Sequence, residues 1–557
     1  KMLEIIEQTT VKKILAIYEK YKGRLDLFHV AFSGGKDSAV LLDLVKKALP
    51  KGSFVVVFGD TGMEFPDTYD LIEKTRQSCE GEKIPFYIAK SHLEPKKSWE
   101  MFGPPSRVLR WCCSVHKSTP QTLKLREITG KDNYTGLAFV GVRAQESATR
   151  AEYEYENYGK KQKGQYSHNS ILEWTSAEVW LYIYENDILI NEAYKKGSAR
   201  VGCICCPMGG GKASFTERVN YPEDSEVFLS HIRNSNARSM ITVENYVAGG
   251  GWNARKNGRY LTDNKHVYSE TTKNGEIIID ITSPKTNWKE WIKTVGELLE
   301  EDNNYTIAFN GQSFSFACKT NKKGYTVRLP ERFAKENPLF GKLFRYTFRK
   351  TAYCVACKTC EAICKNGYIS FNGGLKIDNC KHCFECHSMT AGCLAYDSLK
   401  IPIGEGKKMK SINCFSNHAP KTEWLNDFFE QGRDFLVENT LGPVQKTKFK
   451  RFLKDAELIT KDDLTPFSEL GAVLNCDTHI YLGLMSINLV ANNPQLEWYV
   501  QEMDIGRAYR RSELEDNLIA NGQSKDNISS IINAFKRLTE TPLGTTLRFG
   551  YVTDDGD

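Results

Sequence analysis

Twelve of the 17 cysteines in this 557-residue chain fall into closely spaced groups. The first group is Cys112, Cys113, Cys203 and Cys206; the second is Cys354, Cys357, Cys360, Cys364, Cys380, Cys383, Cys386 and Cys393. Thiolates of this kind bind iron–sulfur clusters or structural zinc. An odd cysteine count without an export signal argues against a disulfide framework. The isolated residues Cys79, Cys318, Cys414 and Cys476 are expected to be small buried side chains.

The second group has the spacing C-x2-C-x2-C-x3-C followed by C-x2-C-x2-C-x6-C. It resembles bacterial two-cluster ferredoxins, in which the fourth cysteine of each run binds the other cluster. The resemblance implies two [4Fe–4S] clusters, one on Cys354, Cys357, Cys360 and Cys393, the other on Cys380, Cys383, Cys386 and Cys364. Two departures are the longer second spacing and the lack of a proline after either fourth cysteine. A pair of zinc knuckles is the alternative.

A second kind of chemistry is indicated by the segment SGGKDS, Ser33–Ser38. It lies between an apolar run, Leu27–Phe32, and a predicted helix. Two glycines allow the backbone to approach an anion, and the helix N-terminus offers free N–H groups. The spacing differs from the Walker loop GxxxxGK[ST]. We therefore predict a phosphate-binding loop of another type.

SGGKDS resembles the pyrophosphate loop of the ATP pyrophosphatase superfamily. Further segments resemble phosphoadenylyl-sulfate (PAPS) reductases over about residues 25–215: GDTGMEFPDTY (Gly59–Tyr69), GVRAQESATR (Gly141–Arg150), ILEWTSAEVWLYI (Ile171–Ile183) and NEAYKKGSARVGCICCP (Asn191–Pro207). The resemblance implies an ATP site formed by Ser33, Gly34, Gly35, Lys36, Asp37, Ser38, Asp60, Arg143, Glu146 and Arg150. Lys36, Asp37, Asp60 and Arg143 are the implied catalytic residues. The two aspartates would position Mg²⁺ or ribose, and the two arginines would hold a second anion.

Cys112 and Cys113, with Cys203 and Cys206, resemble the CC…CxxC set of adenylyl-sulfate (APS) reductases, which holds one [4Fe–4S] cluster. Structural zinc is the alternative. Cys205, a fifth thiol beside this set, is either a packing residue or a persulfide carrier. The Cys-Gly-Leu-His segment of those reductases does not occur in this sequence, which disfavours thiol-based sulfate reduction.

The order strand, loop, helix and strand (Phe54–Phe58) is typical of a parallel α/β sheet. We predict an adenine nucleotide alpha-hydrolase-like α/β domain over 1–235 and a β-containing insert or linker over 236–335. A small ferredoxin-like cluster domain over 336–405 and a mainly helical domain over 406–557 would follow. Within the last, Arg510–Val552 reads as two helices and a short hairpin, which resembles a DNA-binding winged helix. A protein-docking module is the alternative.

The formal net charge is only +6, so composition alone does not indicate nucleic acid. No run approaches about 18 uncharged apolar residues, so no membrane span is expected. The first ten residues, KMLEIIEQTT, lack the features of a signal peptide. We therefore expect a cytoplasmic protein.

Taken together, these features resemble the sulfurtransferase subunit of bacterial DNA phosphorothioation (Dnd or Ssp) systems. The resemblance implies ATP-dependent insertion of cluster-borne or persulfide sulfur into the DNA backbone. The implied partners are a cysteine desulfurase, other phosphorothioation or defence-operon subunits, and DNA. Reduction of APS or PAPS to sulfite with electrons from the ferredoxin-like domain is the first alternative. A non-catalytic nucleotide- and redox-responsive scaffold is the second, and tRNA thiolation ranks low because no RNA-binding domain is recognisable.

Overall fold

The computed structural model describes residues 2–159, 165–235, 251–258, 261, 267–301, 304–400, 412–461, 463–474, 478–504, 506–520 and 523–553. Cys476 and much of the stretch 236–266 lie outside the described residues. The chain divides into two compact units, Lys1–Pro402 and Ile403–Asp557. None of the described helices combines the length and the apolar character needed to cross a bilayer.

The first unit begins with a six-stranded sheet in the order β3-β2-β1-β4-β6-β5, in which only β5 runs antiparallel to its neighbour. Its strands are β1 Leu27–Phe32, β2 Val55–Asp60, β3 Phe86–Lys90, β4 Gly136–Phe139, β5 Glu156–Tyr158 and β6 Gln165–His168. Its helices are α1 Met2–Tyr21, α2 Lys36–Ala48, α3 Pro66–Gly81, α4 Pro95–Phe102, α5 Trp111–Cys113, α6 Thr119–Thr129, α7 Ala148–Ala151, α8 Ser176–Glu185, α9 Gly211–Asn220 and α10 Pro222–Ser235.

The central strands are apolar because helices cover the sheet. All six residues of β2 are buried, and α1, α2 and α8 contribute Ile14, Leu41 and Val179 to the same core. The parallel strands place the ends of β1, β2 and β4 along one edge, where ligands bind in open α/β sheets. The parallel α/β domain expected from the sequence is therefore present, with one antiparallel edge strand.

A second sheet follows, and all of its neighbouring strands are antiparallel, in the order β7-β8-β12-β11-β10-β9. The strands are β7 Tyr268–Lys273, β8 Glu276–Thr282, β9 Glu297–Glu301, β10 Asn304–Phe309, β11 Gln312–Asn321 and β12 Gly324–Pro330. The next elements are α11 Trp288–Ile292, within this region, then α12 Glu331–Glu336, α13 Pro338–Tyr353, α14 Thr359–Ile363, β13 Ile369–Ser370, β14 Lys376–Ile377 and α15 Leu394–Leu399. Phe344 of α13 packs edge-on against Phe316 of β11, with ring centroids 5.0 Å apart. Helix α13 is thus anchored on the second sheet and leads directly into the cysteine array.

The second unit is mainly helical. Its elements are α16 Thr422–Gln431, α17 Arg433–Val437, α18 Pro443–Asp455, β15 Ile459–Thr460, β16 Asp463–Leu464, α19 Pro466–Leu474, α20 His479–Asn492, α21 Pro494–Glu502, α22 Arg511–Ala520, α23 Lys525–Thr539 and α24 Pro542–Thr545. Phe428, Phe452 and Tyr481 lie in its core. The helical character agrees with the prediction.

The hairpin predicted at the end of this unit is wrong. Residues Pro542–Thr545 form a helical turn, and no strand occurs in the described part of 510–553. Proline is favoured in the first turn of a helix, where its missing N–H is not needed, and Leu543 is buried in the core of the unit. Local helix initiation and burial therefore outweigh the alternating pattern, and the described residues contain no wing.

Acidification should destabilise the first unit through His168. This residue is 5% exposed, and burial lowers its pKa from 6.5 to about 4. Between those values the unfolded chain binds a proton that the folded chain excludes, so stability falls as the pH decreases. We expect His168 to account for a loss of about 2 kcal/mol between pH 7 and pH 5. Urea unfolding of wild type and His168→Asn at both pH values measures this share.

The exposed His479 of the second unit provides the control. His479→Asn should leave the pH dependence of unfolding unchanged. An equal pH dependence in wild type and His168→Asn would contradict the prediction.

Candidate functional site

The predicted phosphate loop joins the end of β1 to the start of α2. Gly34 adopts a positive φ of 71°, and a Cβ there would lie 3.0 Å from Thr68 Cγ2. Gly35 precedes the first helical residue without a side-chain cap. The first N–H groups of α2 are therefore available to an anion, apart from that of Lys36, which donates to the Tyr194 hydroxyl at 3.0 Å.

Buried charges surround the start of α2. Lys36 is 8% and Arg143 is 4% exposed. Lys36 Nζ lies 3.1 Å from Asp37 Oδ2, and Arg143 Nε lies 2.5 Å from Asp37 Oδ1. Two cations thus share one carboxylate. The excess positive charge, held in a partly buried site, favours binding of an anion.

Glu146 and Arg150 lie on the same side of the loop. The Arg143 backbone N–H donates to Glu146 Oε2 at 3.1 Å, and Arg150 forms an ion pair with the same carboxylate. Glu146 therefore fixes the turn that presents Arg143 and orients Arg150. The structure brings both predicted arginines to one segment.

Asp60 ends β2, beside the phosphate loop. Its carboxylate accepts hydrogen bonds from the Gly62 N–H at 2.7 Å and the Tyr69 hydroxyl at 2.9 Å. Lys90 Nζ lies 2.9 Å from its second oxygen. Asp60 is only 5% exposed, so these contacts keep the charged carboxylate at the edge of the sheet.

Gly141 is a positioning residue that the sequence reasoning did not single out. A Cβ at this position would lie 2.9 Å from the Asp37 carbonyl carbon and oxygen, and 3.0 Å from Ser38 N. The backbone after β4 therefore touches the first turn of α2. The signal was present as the first residue of GVRAQESATR, but the sequence alone did not show what it contacts.

The first cysteine group is brought together from α5 and from the loop after Tyr194. The Ile204 N–H donates to the Met63 carbonyl at 2.7 Å, and Glu64 pairs with Cys203 as an isolated antiparallel bridge. The pKa of the Cys112 thiol is raised by a hydrogen bond with Cys113, by burial and by the charges of Cys113, Cys203 and Cys206. All four predicted ligands therefore lie close enough for Cys112 to be influenced by the other three.

Positive charge surrounds this group. Cys113 is exposed, and its thiol pKa is lowered by its hydrogen bond with Cys112 and then by Lys117 and Arg110. Burial raises the pKa of the Cys206 thiol, and Arg200 opposes that rise. Cationic surroundings favour thiolates, the form that binds metal.

Cys205 differs from its neighbours. It is 8% exposed, its N–H donates to Glu217 Oε1 at 2.8 Å, and burial raises the pKa of its thiol. A buried neutral thiol is a poor nucleophile. These contacts favour the packing role over the persulfide role.

The two runs of the second group have the same backbone conformation. Ala356 and Lys358 in the first run have positive φ values of 53° and 61°, and His382 and Phe384 in the second have 51° and 59°. These residues occupy equivalent positions relative to Cys354 and Cys380. Left-handed residues curl each loop so that its three cysteines can face one point.

The fourth cysteines cross between the runs. One cavity, of about 320 Å³ including the part open to solvent, has among its lining residues Cys354, Cys357, Cys360 and Cys393. Cys386 is influenced by Cys360 but also by Cys380 and Cys364, and Cys380 by Cys364 and Cys383. The structure thus groups the cysteines as the two sets implied by the ferredoxin resemblance.

Backbone N–H groups point at several of these sulfurs. The His382 N–H lies 3.4 Å from Cys380 Sγ. Burial raises the thiol pKa of Cys206, Cys354, Cys357 and Cys393, and further backbone N–H groups oppose that rise. Such hydrogen bonds stabilise thiolates and tune the potential of iron–sulfur clusters. They fit an anionic cluster at each set.

No group of three or more His, Cys, Asp or Glu side chains is placed to hold a single metal ion in the part of the chain that the structure describes. A zinc ion needs its ligand atoms about 2.0–2.3 Å from one point. The four cysteines of a [4Fe–4S] cluster each bind a separate iron and are spaced more widely. The cysteine sets have the donor type that both a [4Fe–4S] cluster and structural zinc require.

One helical run connects the two cysteine regions. Residues 111–129 form α5, a π-helical turn at Ser114–Ser118 and α6. Arg126 of α6 donates to the Glu361, Ala362 and Cys364 carbonyls at 2.9, 3.0 and 2.9 Å. These carbonyls end α14, where a cation is favoured. The run therefore carries Cys112 and Cys113 at its start and contacts the second cysteine group near its end.

Comparison with known proteins matches residues 28–208 to the phosphoadenosine phosphosulfate reductase domain. An adenosine 5'-phosphosulfate reductase of Geobacillus kaustophilus is 31% identical over 32% of this chain and 71% of its own length. An uncharacterized protein of Methanocaldococcus jannaschii is 34% identical over 40% of this chain, and the match spans about half (51%) of that relative. The solved PAPS reductase of Candida auris matches 36% of this chain and 93% of its own, with 19% identity and a TM-score of 0.28.

Gly141→Ala should displace the first turn of α2, because the added methyl group meets the Asp37 backbone. We expect a loss of about 1–3 kcal/mol in the free energy of unfolding, measured by urea denaturation. Gly81→Ala, at the end of α3, meets no atom within 4 Å and should be neutral or slightly stabilising. Equal stabilities for wild type and Gly141→Ala would refute the close contact.

Proposed function

This chain belongs to the phosphoadenosine phosphosulfate reductase family, and from that premise we propose that it is an ATP-dependent sulfur-transfer enzyme carrying three [4Fe–4S] clusters. The first cluster would be held by Cys112, Cys113, Cys203 and Cys206. The other two would be held by the crossed sets of the ferredoxin-like domain.

The observation that carries this proposal is the joining of the phosphate loop to the first cysteine group. Tyr194 contacts the Lys36 N–H, and the same stretch of chain reaches Cys203 and Cys206. Arg200 influences both the Tyr194 hydroxyl and the Cys206 thiol. A nucleotide on the loop and a sulfur-handling centre would therefore be neighbours.

The roles proposed for the loop follow from its groups. The N–H groups of α2, with the Ser33 and Ser38 hydroxyls, would bind the ATP phosphates. Lys36 and Arg143 would stabilise the charge that develops on the departing pyrophosphate. Asp37 and Asp60 are the proposed Mg²⁺ or ribose ligands, because they are the two carboxylates at the ends of the phosphate loop and of β2.

The proposed reaction has two displacements. An acceptor oxygen attacks the α-phosphorus of ATP and releases pyrophosphate. Sulfide-level sulfur then attacks the activated acceptor, and AMP leaves with the original oxygen. Sulfur delivered as a persulfide needs two electrons before it is released at that level, and clusters of the [4Fe–4S] type supply electrons singly.

The proposed acceptor is a DNA backbone phosphate, as the resemblance to phosphorothioation sulfurtransferases implies. A cysteine desulfurase would supply sulfur, and other subunits of such a system would present the DNA. The described part of 510–553 contains no hairpin, so the feature of the sequence that suggested a DNA-binding wing does not support this acceptor. Direct incorporation of labelled sulfur into DNA tests this acceptor.

A second candidate is reduction of APS or PAPS to sulfite. It is favoured by the relatives named adenosine 5'-phosphosulfate reductase, such as the one covered over 71% of its length. The ferredoxin-like domain would then deliver the two electrons. Sulfite release from APS or PAPS without ATP would decide for this candidate.

Lys36→Ala and Arg143→Ala should each reduce formation of AMP and pyrophosphate from ATP by about 10²–10³-fold, because each removes a cation from the leaving phosphates. The assay combines the anaerobically purified protein, ATP, DNA and a sulfide source. Lys97→Ala is the control, since the Lys97 side chain is 72% exposed. Wild-type turnover no higher than in either variant would count against the proposed use of ATP.

Iron and acid-labile sulfide should each approach about twelve atoms per chain, with little zinc. Cys393→Ser and Cys364→Ser should each lose about four of the irons, because each removes a ligand from a different set. Cys414→Ser, at a buried position outside the sets, should lose none. A content of three zinc ions and no sulfide per chain would contradict the cluster assignment and identify the cysteine sets as structural zinc sites.

A further inference from the structure

Lys350 lies between the two cysteine sets of the ferredoxin-like domain. It projects from the last turn of α13, and only 1% of it is exposed. Its Nζ is 2.9 Å from Cys360 Sγ, in one set, and 3.0 Å from the Cys386 carbonyl oxygen, in the other. The same ammonium group therefore touches both sets.

The partners of this buried cation are unusual. Among the residues that the structure describes, no carboxylate forms an ion pair with Lys350. Its Nζ also lies 4.8 Å from the centroid of the Trp291 ring. An uncompensated buried charge costs several kcal/mol, so the lysine requires negative charge from the cysteine sets.

We propose that Lys350 is a positioning residue that raises the reduction potential of both clusters. This inference rests on the cluster assignment within the proposed function. Reduction adds one negative charge to a cluster, and a fixed cation at hydrogen-bond distance from its ligands stabilises the reduced form more than the oxidised form. Because Nζ meets the sulfur of Cys360 but only the carbonyl of Cys386, the effect is larger on the cluster bound by Cys360.

Replacing the charge tests the proposal. Lys350→Met should lower the equilibrium constant for reduction of the Cys360 cluster at least tenfold. For one electron this is a fall of 59 mV in the midpoint potential. The other cluster should shift in the same direction by less. Lys350→Arg keeps the charge and should stay near wild type. The measurement is a potentiometric titration of the full chain, purified anaerobically and monitored by electron paramagnetic resonance.

Lys342→Met is the matched control, because Lys342 is exposed on the same helix and should leave both potentials unchanged. Iron and sulfide analysis of each protein distinguishes an error in the cluster assignment from an error in the role of Lys350. Absence of sulfide in the wild type would overturn the cluster assignment itself. Full clusters in Lys350→Met with unchanged potentials would overturn only the role of Lys350.

A second pair of variants tests the proposal in the case that Lys350→Met loses its clusters. If Lys350→Met does not retain iron, Lys350→Gln is compared with Lys350→Arg, since both keep a hydrogen-bond donor and only the arginine is charged. A lower potential in the glutamine variant supports the proposal, and equal potentials contradict it.

Discussion

A short backbone pairing holds the candidate site together. Glu64, just after β2, bridges to Cys203, and the Ile204 N–H donates to the Met63 carbonyl. Because β2 lies beside β1 in a parallel sheet, this pairing brings the CxxC loop to the edge where the phosphate loop also ends. The proximity of the phosphate loop to the first cysteine group depends on this pairing, since α5 and the CxxC loop are about ninety residues apart in the chain.

Buried cations lie at both the phosphate loop and the second cysteine group. Lys36 and Arg143 share one carboxylate at the phosphate loop. Lys350 contacts a thiol, a carbonyl and an aromatic ring and, among the described residues, forms no ion pair with a carboxylate. Such groups are costly to bury without compensation. Their presence is best understood if phosphates and cluster-bound thiolates supply the missing charge, which links the stability of the fold to its ligands.

The second cysteine group belongs to the first compact unit. Thr119 and Arg126, on the helical run that begins at Cys112, meet Thr359 and the carbonyl groups at the end of α14. Arg255 likewise donates to the Phe102 and Ser398 carbonyls. These buried contacts fix the array against the α/β domain, so electrons passing between the cysteine groups would cross packed protein and would not need a mobile linker.

The local spacing of residues in the sequence was enough to predict the phosphate loop and the cysteine loops. SGGKDS between an apolar strand and a helix predicted the phosphate loop, and the two C-x2-C-x2-C runs predicted paired loops, because those features depend on backbone conformation over a few residues. The predicted hairpin was wrong, since the pattern of 541–552 did not reveal that Pro542 begins a helical turn. Gly141 and Lys350 had no distinguishing local signal. Their importance comes from contacts with Asp37, more than a hundred residues away, and with Cys360 and Cys386 on two different loops. Only the tertiary structure decides such contacts, because close approach and burial of charge depend on how distant segments pack.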